Sequence, residues 1–435
     1  MNYLFEFKNK FFNNKLAIDS FWALVGSVAA KGLSLIASVV VARFLGKASF
    51  GEYGIIRNTL LYMAIFSTFG LGYTATKYVS QYKDKSPEKL VFFCKNAFII
   101  TLFVSGIMAL FLFLFSNYVA VSILESPRLD IPLKYVSIWV VFNALTTTQT
   151  GILSGFGEFK KMAKINGLIG IITFISSFVF TYFYGLEGAL IALLVAQMVN
   201  WYLNYKVLIQ YLPKVAASEN NKLFIKEILL FSFPIALQEA LYSATSWLSL
   251  YLLIKLTSYG ELGLYSAAMQ WAAVILFIPA ILRNVVLNHM SEATNDLNKH
   301  NEVLKKMLKI NFLSTIIPFI FVFLFSGLIV TFYGTTFKGL QSVLNIAVFT
   351  TIFACLSSVY SQAYMSRGKN WFMLLLRLFR DLGTLVITYF LIIYYTSESG
   401  AKLMVISSLL MNFVFFIIMA LYYELFLNKK EEIII

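Results

Sequence analysis

Charge is scarce in this sequence. Only 13% of its 435 residues are Asp, Glu, Lys or Arg, about half the share of an ordinary soluble domain. Cysteine is rarer still, with Cys94 and Cys355 the only two. They stand far apart within or beside apolar runs, with no CxxC or metal-ligand spacing. That excludes a disulfide framework and leaves both as small apolar side chains. The two histidines, His289 and His300, sit in or near one polar stretch and belong to no ligand set. There is no Gly-x-Ser-x-Gly turn, no GxxxxGK[ST] phosphate loop and no DxD-like pair in a long loop. No catalytic residue, metal site or cofactor is expected, and the chain reads as a non-enzyme. Without a nucleotide site, any transport must be driven by an ion gradient, a substrate gradient or downstream consumption, and a proton or sodium ion is the candidate coupling ion.

Apolar residues are what the chain has in abundance: 59% hydrophobic, 17% aromatic, mean hydropathy +0.77. A hydrocarbon core about 30 Å thick needs roughly 20 apolar residues of helix. Such runs recur at 18–44, 50–73, 90–116, 132–153, 164–184, 187–211, 225–256, 262–288, 304–330, 338–364, 372–395 and 401–426. The expected fold is an all-α polytopic membrane protein with twelve transmembrane helices. The first run is longer than a signal-peptide core and has no convincing cleavage site, so it is expected to remain as span 1. The leader before it mixes Leu4, Phe7 and Phe11 with Lys8 and Lys10, which fits either an interfacial helix or a disordered basic segment.

The net charge of +14 would suggest nucleic acid in a soluble protein. Here it sorts by loop. Alternate segments hold Lys8, Lys83, Lys85, Lys160, Lys161, Lys305 and Lys306, while the intervening ones are sparse in Lys and Arg. By the positive-inside rule both termini face the cytoplasm, and no nucleic-acid partner is needed.

The sequence also repeats. Residues 50–54 read Phe-Gly-Glu-Tyr-Gly after span 1, and 262–266 read Leu-Gly-Leu-Tyr-Ser after span 7, an offset of 212. The turns LSGFGEFK (153–160) and YMSRGKNW (364–371) place Gly157 and Gly368 at an offset of 211. Two echoes at nearly one offset imply two six-helix lobes. An even number of spans returns the chain to its starting side, so the lobes share an orientation and a pseudo-twofold axis along the membrane normal. The expected division is a leader to 17, a lobe over 18–212, a linker over 213–224, a lobe over 225–427 and a tail over 428–435. Gly51 and Gly263 either form tight turns or permit close helix packing.

Polar residues within spans are costly and need a cavity or a partner. Span 1 carries Ser27, Lys31, Ser34 and Ser38 on one stripe. Adding 212 gives Glu239, Ser243, Ser246 and Leu250 in span 7. One reading is a cavity lined by both stripes, where Lys31 attracts an anionic headgroup and Glu239 binds a coupling ion or proton. The other is an ion pair or buried hydrogen bonds holding the halves together. Arg57 and Arg283 lie inside spans 2 and 8, where either could snorkel. Arg377, Arg380 and Asp381 cluster in span 11, and the four-residue spacing suggests an Arg377–Asp381 pair. Asn143, Thr146, Gln149, Gln197, Asn200 and Asn204 in spans 4 and 6 suggest helix–helix hydrogen bonds. Trp22 and Trp371 fit an interfacial belt. Trp139, Trp247 and Trp271 lie deeper, suited to packing or to stacking on sugar rings.

VARFLGKASFGEYG (41–54), FGLGYTATKYVSQY (69–82), SFPIALQEALYSATSW (232–247) and GELGLYSAAMQ (260–270), in that order, resemble the bacterial polysaccharide-export (Wzx-type, O-antigen) flippases of the multidrug/oligosaccharidyl-lipid/polysaccharide exporter superfamily. The resemblance implies a MATE-like fold with alternating access in the bacterial inner membrane. It also implies transfer of an undecaprenyl-pyrophosphate-linked oligosaccharide, an O-antigen or capsule unit, to the outer leaflet. The expected partners are that substrate, membrane lipids and polysaccharide polymerase or chain-length proteins. Lys31 and Arg57 stand where such flippases often carry basic residues for the headgroup, and Arg283 is a looser match. The alternative is an ion-coupled multidrug antiporter of the same fold, which would want buried acids. An embedded polymerase or ligase would need a larger outer loop than 117–131.

Overall fold

The computed structural model describes residues 15–68, 70–213, 215, 222–292 and 296–427. Most of the expected leader, most of the linker and the tail lie outside the described residues. No strand occurs among those described. In lipid this follows from the long apolar runs, because a helix pairs its own backbone groups.

The first half builds α1 (Lys15–Thr68), α2 (Leu71–Tyr82), α3 (Pro87–Leu114), α4 (Asp130–Val136), α5 (Ile138–Phe156) and α6 (Phe159–Leu208). The second builds α7 (Lys222–Leu256), α8 (Tyr259–Ile275), α9 (Phe277–Glu292), α10 (Leu297–Leu324), α11 (Ser326–Tyr333), α12 (Leu340–Ser366), α13 (Asn370–Tyr394) and α14 (Gly400–Tyr422). Among the described residues, 6 helices are long and apolar enough to cross a membrane, or up to 7 if the bent α4–α5 pair counts as one span. Two of them are double-length. Gly26–Thr68 has 43 residues and Phe159–Leu208 has 50, about 65 and 75 Å of helix. Each contains one non-helical residue, Gly46 (φ 70, ψ 170) and Gly185 (φ 55, ψ −130). Both fall where the sequence places turns between spans.

The repeat is visible in the backbone. α3 and α10 start and end at an offset of 210. The rings of Phe111 and Phe115 lie 4.7 Å apart, and those of Phe321 and Phe325 lie 4.8 Å apart. Beyond them, the Ser116 hydroxyl donates to Asp130 (2.7 Å), while Gln341 donates to Ser326 (3.3 Å). The Gly157 and Gly368 turns are built alike. Gly157 N–H donates to Ser154 and Glu158 N–H to Leu153. Gly368 N–H donates to Met365 and Lys369 N–H to Tyr364, all at 3.0 Å. Their φ values, 85° and 71°, are left-handed helix caps that glycine adopts without steric cost.

The chain forms two compact units. Unit 1 comprises Met1–Phe44 and Ile55–Trp247, and unit 2 comprises Leu45–Gly54 and Leu248–Ile435. Most of α7 therefore clusters with unit 1, and the turn motif after span 1 clusters with unit 2. There the two copies of that motif meet. A Cβ on Gly51 would lie 1.9 Å from the Tyr259 carbonyl oxygen, and one on Gly263 would lie 2.0 Å from that of Lys47. Tyr259 is Lys47 shifted by 212, so the contact is reciprocal. Neither Gly51 nor Gly263 has a positive φ. Of the two expectations for these glycines, close packing holds, and Gly46 breaks the helix.

Two polar stretches fold differently from expectation. The inner segment after span 2 is helix α2, entered through left-handed Gly70 (φ 70). Its Leu71, Ala75, Tyr78 and Val79 pack with Leu90, Phe93, Ile152 and Leu208 in the unit 1 core. This is a helical apolar stripe masked in the sequence by outward Lys77. His300, placed by the sequence in or near a polar stretch, is 0% exposed within α10. Its Nδ1 is 2.7 Å from the Tyr423 hydroxyl and its Nε2 3.1 Å from that of Ser366. Arg367 approaches the ring at 3.4 Å and also donates to the Leu427 carbonyl. The surrounding unit 2 core contains Leu304, Tyr360, Tyr364, Phe415 and Met419.

Candidate functional site

The site begins on the part of α1 before Gly46. The face with Gly26 and Ala30 packs on α6. A Cβ on Gly26 would lie 3.3 Å from the Ala163 carbonyl oxygen, and one on Gly170 would lie 3.0 Å from Ala30 Cα. At about 100° per residue, Ser27, Lys31, Ser34 and Ser38 run roughly a quarter turn from that face. Exposed Ile36 lies on the far side of the helix from them, while exposed Val28 borders Lys31 one turn away. Ser27 and Lys31 are half-buried. Ser34 is exposed and its hydroxyl donates to the Ala30 carbonyl at 2.9 Å. The Ser38 hydroxyl is buried without a partner.

After Gly46 the helix resumes and brings half-buried Arg57 within charge–charge range of Lys31. Among the described residues no ion pair involves either cation. Farther along, Thr59 accepts from the Trp247 indole N–H at 3.0 Å, and the Tyr62 hydroxyl hydrogen-bonds Ser246. These two bonds fasten α7 to the second part of α1 inside unit 1. The α7 stripe thus lies in the same unit as Lys31 and Arg57. Ser243 is 0% exposed and its hydroxyl has no partner. Glu239 is half-buried, about two helical turns from Trp247, and forms no ion pair with Lys31.

Sequence reasoning missed Thr59 and Tyr62. Their three-residue spacing, immediately after Arg57, was the available signal. Arg283 lies on α9, with its side chain outside the described residues. Asp381 is bound by Arg380 at 2.7 Å, its neighbour rather than the expected Arg377. The amide expectation holds where Gln197 donates to the Thr146 hydroxyl at 3.0 Å. Trp139 is buried in packing, and Trp271 donates to the Tyr333 hydroxyl at 2.9 Å. Trp371 is 76% exposed, and the Trp22 side chain lies outside the described residues. Both cysteines are free and buried.

Two like charges within electrostatic range of one another, half-buried and in no ion pair among the described residues, repel more strongly in a low-dielectric setting than in water. An anion placed against them relieves that repulsion. The arrangement can therefore hold a negatively charged group and offers no general acid–base or nucleophile pair.

The fold is similar to that of an inward-facing multidrug resistance MATE family transporter of the MOP superfamily, with TM-score 0.78 and 15% identity over 91% of this chain and 94% of that one. It is similar to the lipid II flippase MurJ in an inward closed conformation, with TM-score 0.73 and 16% identity over 94% and 87%. A MOP superfamily transporter from Pyrococcus furiosus, described as having a binding pocket of reversed polarity, gives TM-score 0.71 and 16% identity over 94% and 95%. No curated protein sequence matches the chain. The family model for polysaccharide biosynthesis proteins matches residues 16–292. The chain belongs to this family and is a multi-pass membrane protein with a MATE-like fold.

Proposed function

We propose that the protein is a flippase for an undecaprenyl-pyrophosphate-linked oligosaccharide. It moves the glycolipid from the inner to the outer leaflet of the bacterial inner membrane by alternating access of two six-helix lobes, with twelve spans and both termini in the cytoplasm. Lys31 and Arg57 hold the pyrophosphate, with Arg283 a further contact. Glu239 responds to the coupling ion, and Ser27, Ser34, Ser243 and Ser246 line the polar path. The protein carries out transport, not catalysis. The single observation that carries this reading is the Lys31–Arg57 pair, two half-buried cations within electrostatic range of each other and in no ion pair among the described residues. The polysaccharide biosynthesis family supports a glycan-bearing substrate, and MurJ supports a lipid-linked one.

Deletion of the gene followed by lipid analysis tests the reading. Lipid-linked oligosaccharide should build up in the inner leaflet. Normal delivery to the outer leaflet, together with new sensitivity to cationic dyes, would favour a multidrug antiporter instead.

A further inference from the structure

His300 stands in the first turn of α10, ahead of the apolar run at 304–330, where α10 meets α12 and the end of α14. Its hydrogen bonds can be counted in protons. A neutral imidazole has one N–H and one acceptor nitrogen, and a hydroxyl has one proton. The Ser366 hydroxyl donates to the Ala363 carbonyl at 2.8 Å. Nε2, 3.1 Å from that hydroxyl, must therefore donate to it. The Tyr423 hydroxyl donates to Asn301 Oδ1 at 2.9 Å, so Nδ1, 2.7 Å from it, must donate as well. A ring that donates from both nitrogens is an imidazolium. Yet Arg367 Nη2 lies 3.4 Å from Nδ1, and a guanidinium can only donate. Nδ1 cannot give a proton to Tyr423 and accept one from Arg367 at once.

Two arrangements balance the count. With a neutral ring, Arg367 stays and Nδ1 accepts. Tyr423 then donates to Nδ1, the Asn301 amide turns so that its nitrogen donates to Tyr423, and Nε2–H donates to Ser366. With a charged ring, Asn301 keeps its oxygen toward Tyr423, both ring nitrogens donate, and Arg367 must leave. Its departure has a structural consequence. Arg367 also donates to the Leu427 carbonyl and lies over the Tyr423 ring at 5.5 Å, so it holds the Tyr423–Leu427 turn that ends α14. Its Nε is buried without a partner, a cost that release removes. The titratable neighbours come from three elements. α12 brings Arg367, Tyr360 and Tyr364, and the end of α14 brings Tyr423 with Glu424 in electrostatic range of it. α10 adds Lys299 and Glu302 on either side of His300 in sequence. α9 packs here through Val286 and Met290, and its His289 side chain lies outside the described residues.

We infer that His300 is a proton-binding switch: a proton taken up on Nδ1 expels Arg367 and unlatches the Tyr423–Leu427 turn from α12. The proton comes from water, which reaches Nδ1 as the half-buried guanidinium swings away. Like charge on Arg367 opposes the imidazolium, so the latch is closed at neutral pH and opens as pH falls. The switch is separate from Lys31, Arg57 and Glu239, and it stands whatever the cargo is.

The chain has two histidines, so His289→Gln leaves His300 as the single imidazole. The test uses that full chain, labelled with 15N-histidine, in nanodiscs. At neutral pH the ring should be neutral with its proton on Nε2, and acid should convert it to imidazolium. Arg367→Gln should raise its proton affinity about tenfold, a midpoint about one pH unit higher. Asn301→Asp, which when ionised can only accept, should raise it as well. A spin label on Leu425→Cys, at a position 53% exposed, should gain mobility at the same midpoint as the ring titrates. Cys94 and Cys355 are buried and leave the label specific. In His300→Leu the label's mobility should not change with pH. A proton on Nδ1 at neutral pH would overturn the switch. So would a midpoint that Arg367→Gln leaves in place, or a label that loosens equally in His300→Leu. If acid unfolds the parent before the ring titrates, Arg367→Gln decides, and a ring that stays neutral there up to unfolding also overturns it.

Discussion

The two halves of this chain share a scaffold and differ in charge. The Phe111–Phe115 and Phe321–Phe325 ring pairs, the Gly157 and Gly368 caps, and the reciprocal Gly51 and Gly263 contacts repeat almost atom for atom. The charged positions do not repeat. Lys31 corresponds to Ser243 and Arg57 to Met269 at the 212 offset. Arg380 and Asp381 correspond to Ile169 and Gly170 at the 211 offset. Duplicated parts are therefore those that set helix ends and crossings, and these intramembrane charges are not among them. Even the cores diverge this way. The unit 1 cluster has Leu90 where unit 2 has His300, at the offset of 210 that relates α3 to α10.

The sharpest way to break the comparison is at the reciprocal crossing. Gly51→Ala and Gly263→Ala each push a methyl into a backbone carbonyl, at 1.9 and 2.0 Å. Each should destabilise the protein by about 3 kcal/mol or more, the upper range for overpacking. A thermal unfolding scan should give similar losses for both, and a large loss at one with none at the other would show that the crossing is not symmetric in energy.

A smaller effect distinguishes the cores. His300→Ala leaves the Ser366 hydroxyl without its ring partner and opens a cavity, at a cost of about 2–3 kcal/mol. His300→Leu, which copies Leu90 of unit 1, should cost less because it refills the volume. Equal loss in both would mean the hydrogen bonds, rather than the volume, dominate.

The smallest effect sharpens the match. Gly157→Ala and Gly368→Ala meet no atom within 4 Å, so only the positive φ opposes them. Each should cost about 1 kcal/mol, and the two values should agree within the error of denaturant titration.

How much of this was legible in the sequence depends on the kind of interaction. Helical spans, the turns at Gly46 and Gly185, and the 212-residue echo were readable because hydropathy and glycine placement are local signals. The stripe of Ser27, Lys31 and Ser34 was readable from helical spacing. Helix α2 was hidden because its apolar stripe is interrupted by lysine on the outward face. The burial of His300 was hidden because its partners, Tyr423 and Ser366, lie 123 and 66 residues away. Arg57 was readable as an intramembrane cation, but its approach to Lys31 depends on the path of α1 past Gly46. The fastening of α7 by Thr59 and Tyr62 likewise depends on a crossing 188 residues apart in sequence.

The central claim is that Lys31 and Arg57 act as a charge pair for an anionic headgroup. It is tested most directly by flipping of a lipid-pyrophosphate oligosaccharide in proteoliposomes containing Lys31→Ala, Lys31→Arg or the equivalent Ser243→Ala. Lys31→Ala should slow transfer more than tenfold, a loss of about 1.4 kcal/mol or more, with unfolding temperature unchanged. Lys31→Arg should retain most of the rate, and Ser243→Ala should change it little. Loss of rate in all three in proportion to lost stability, or full activity in Lys31→Ala, would contradict the account.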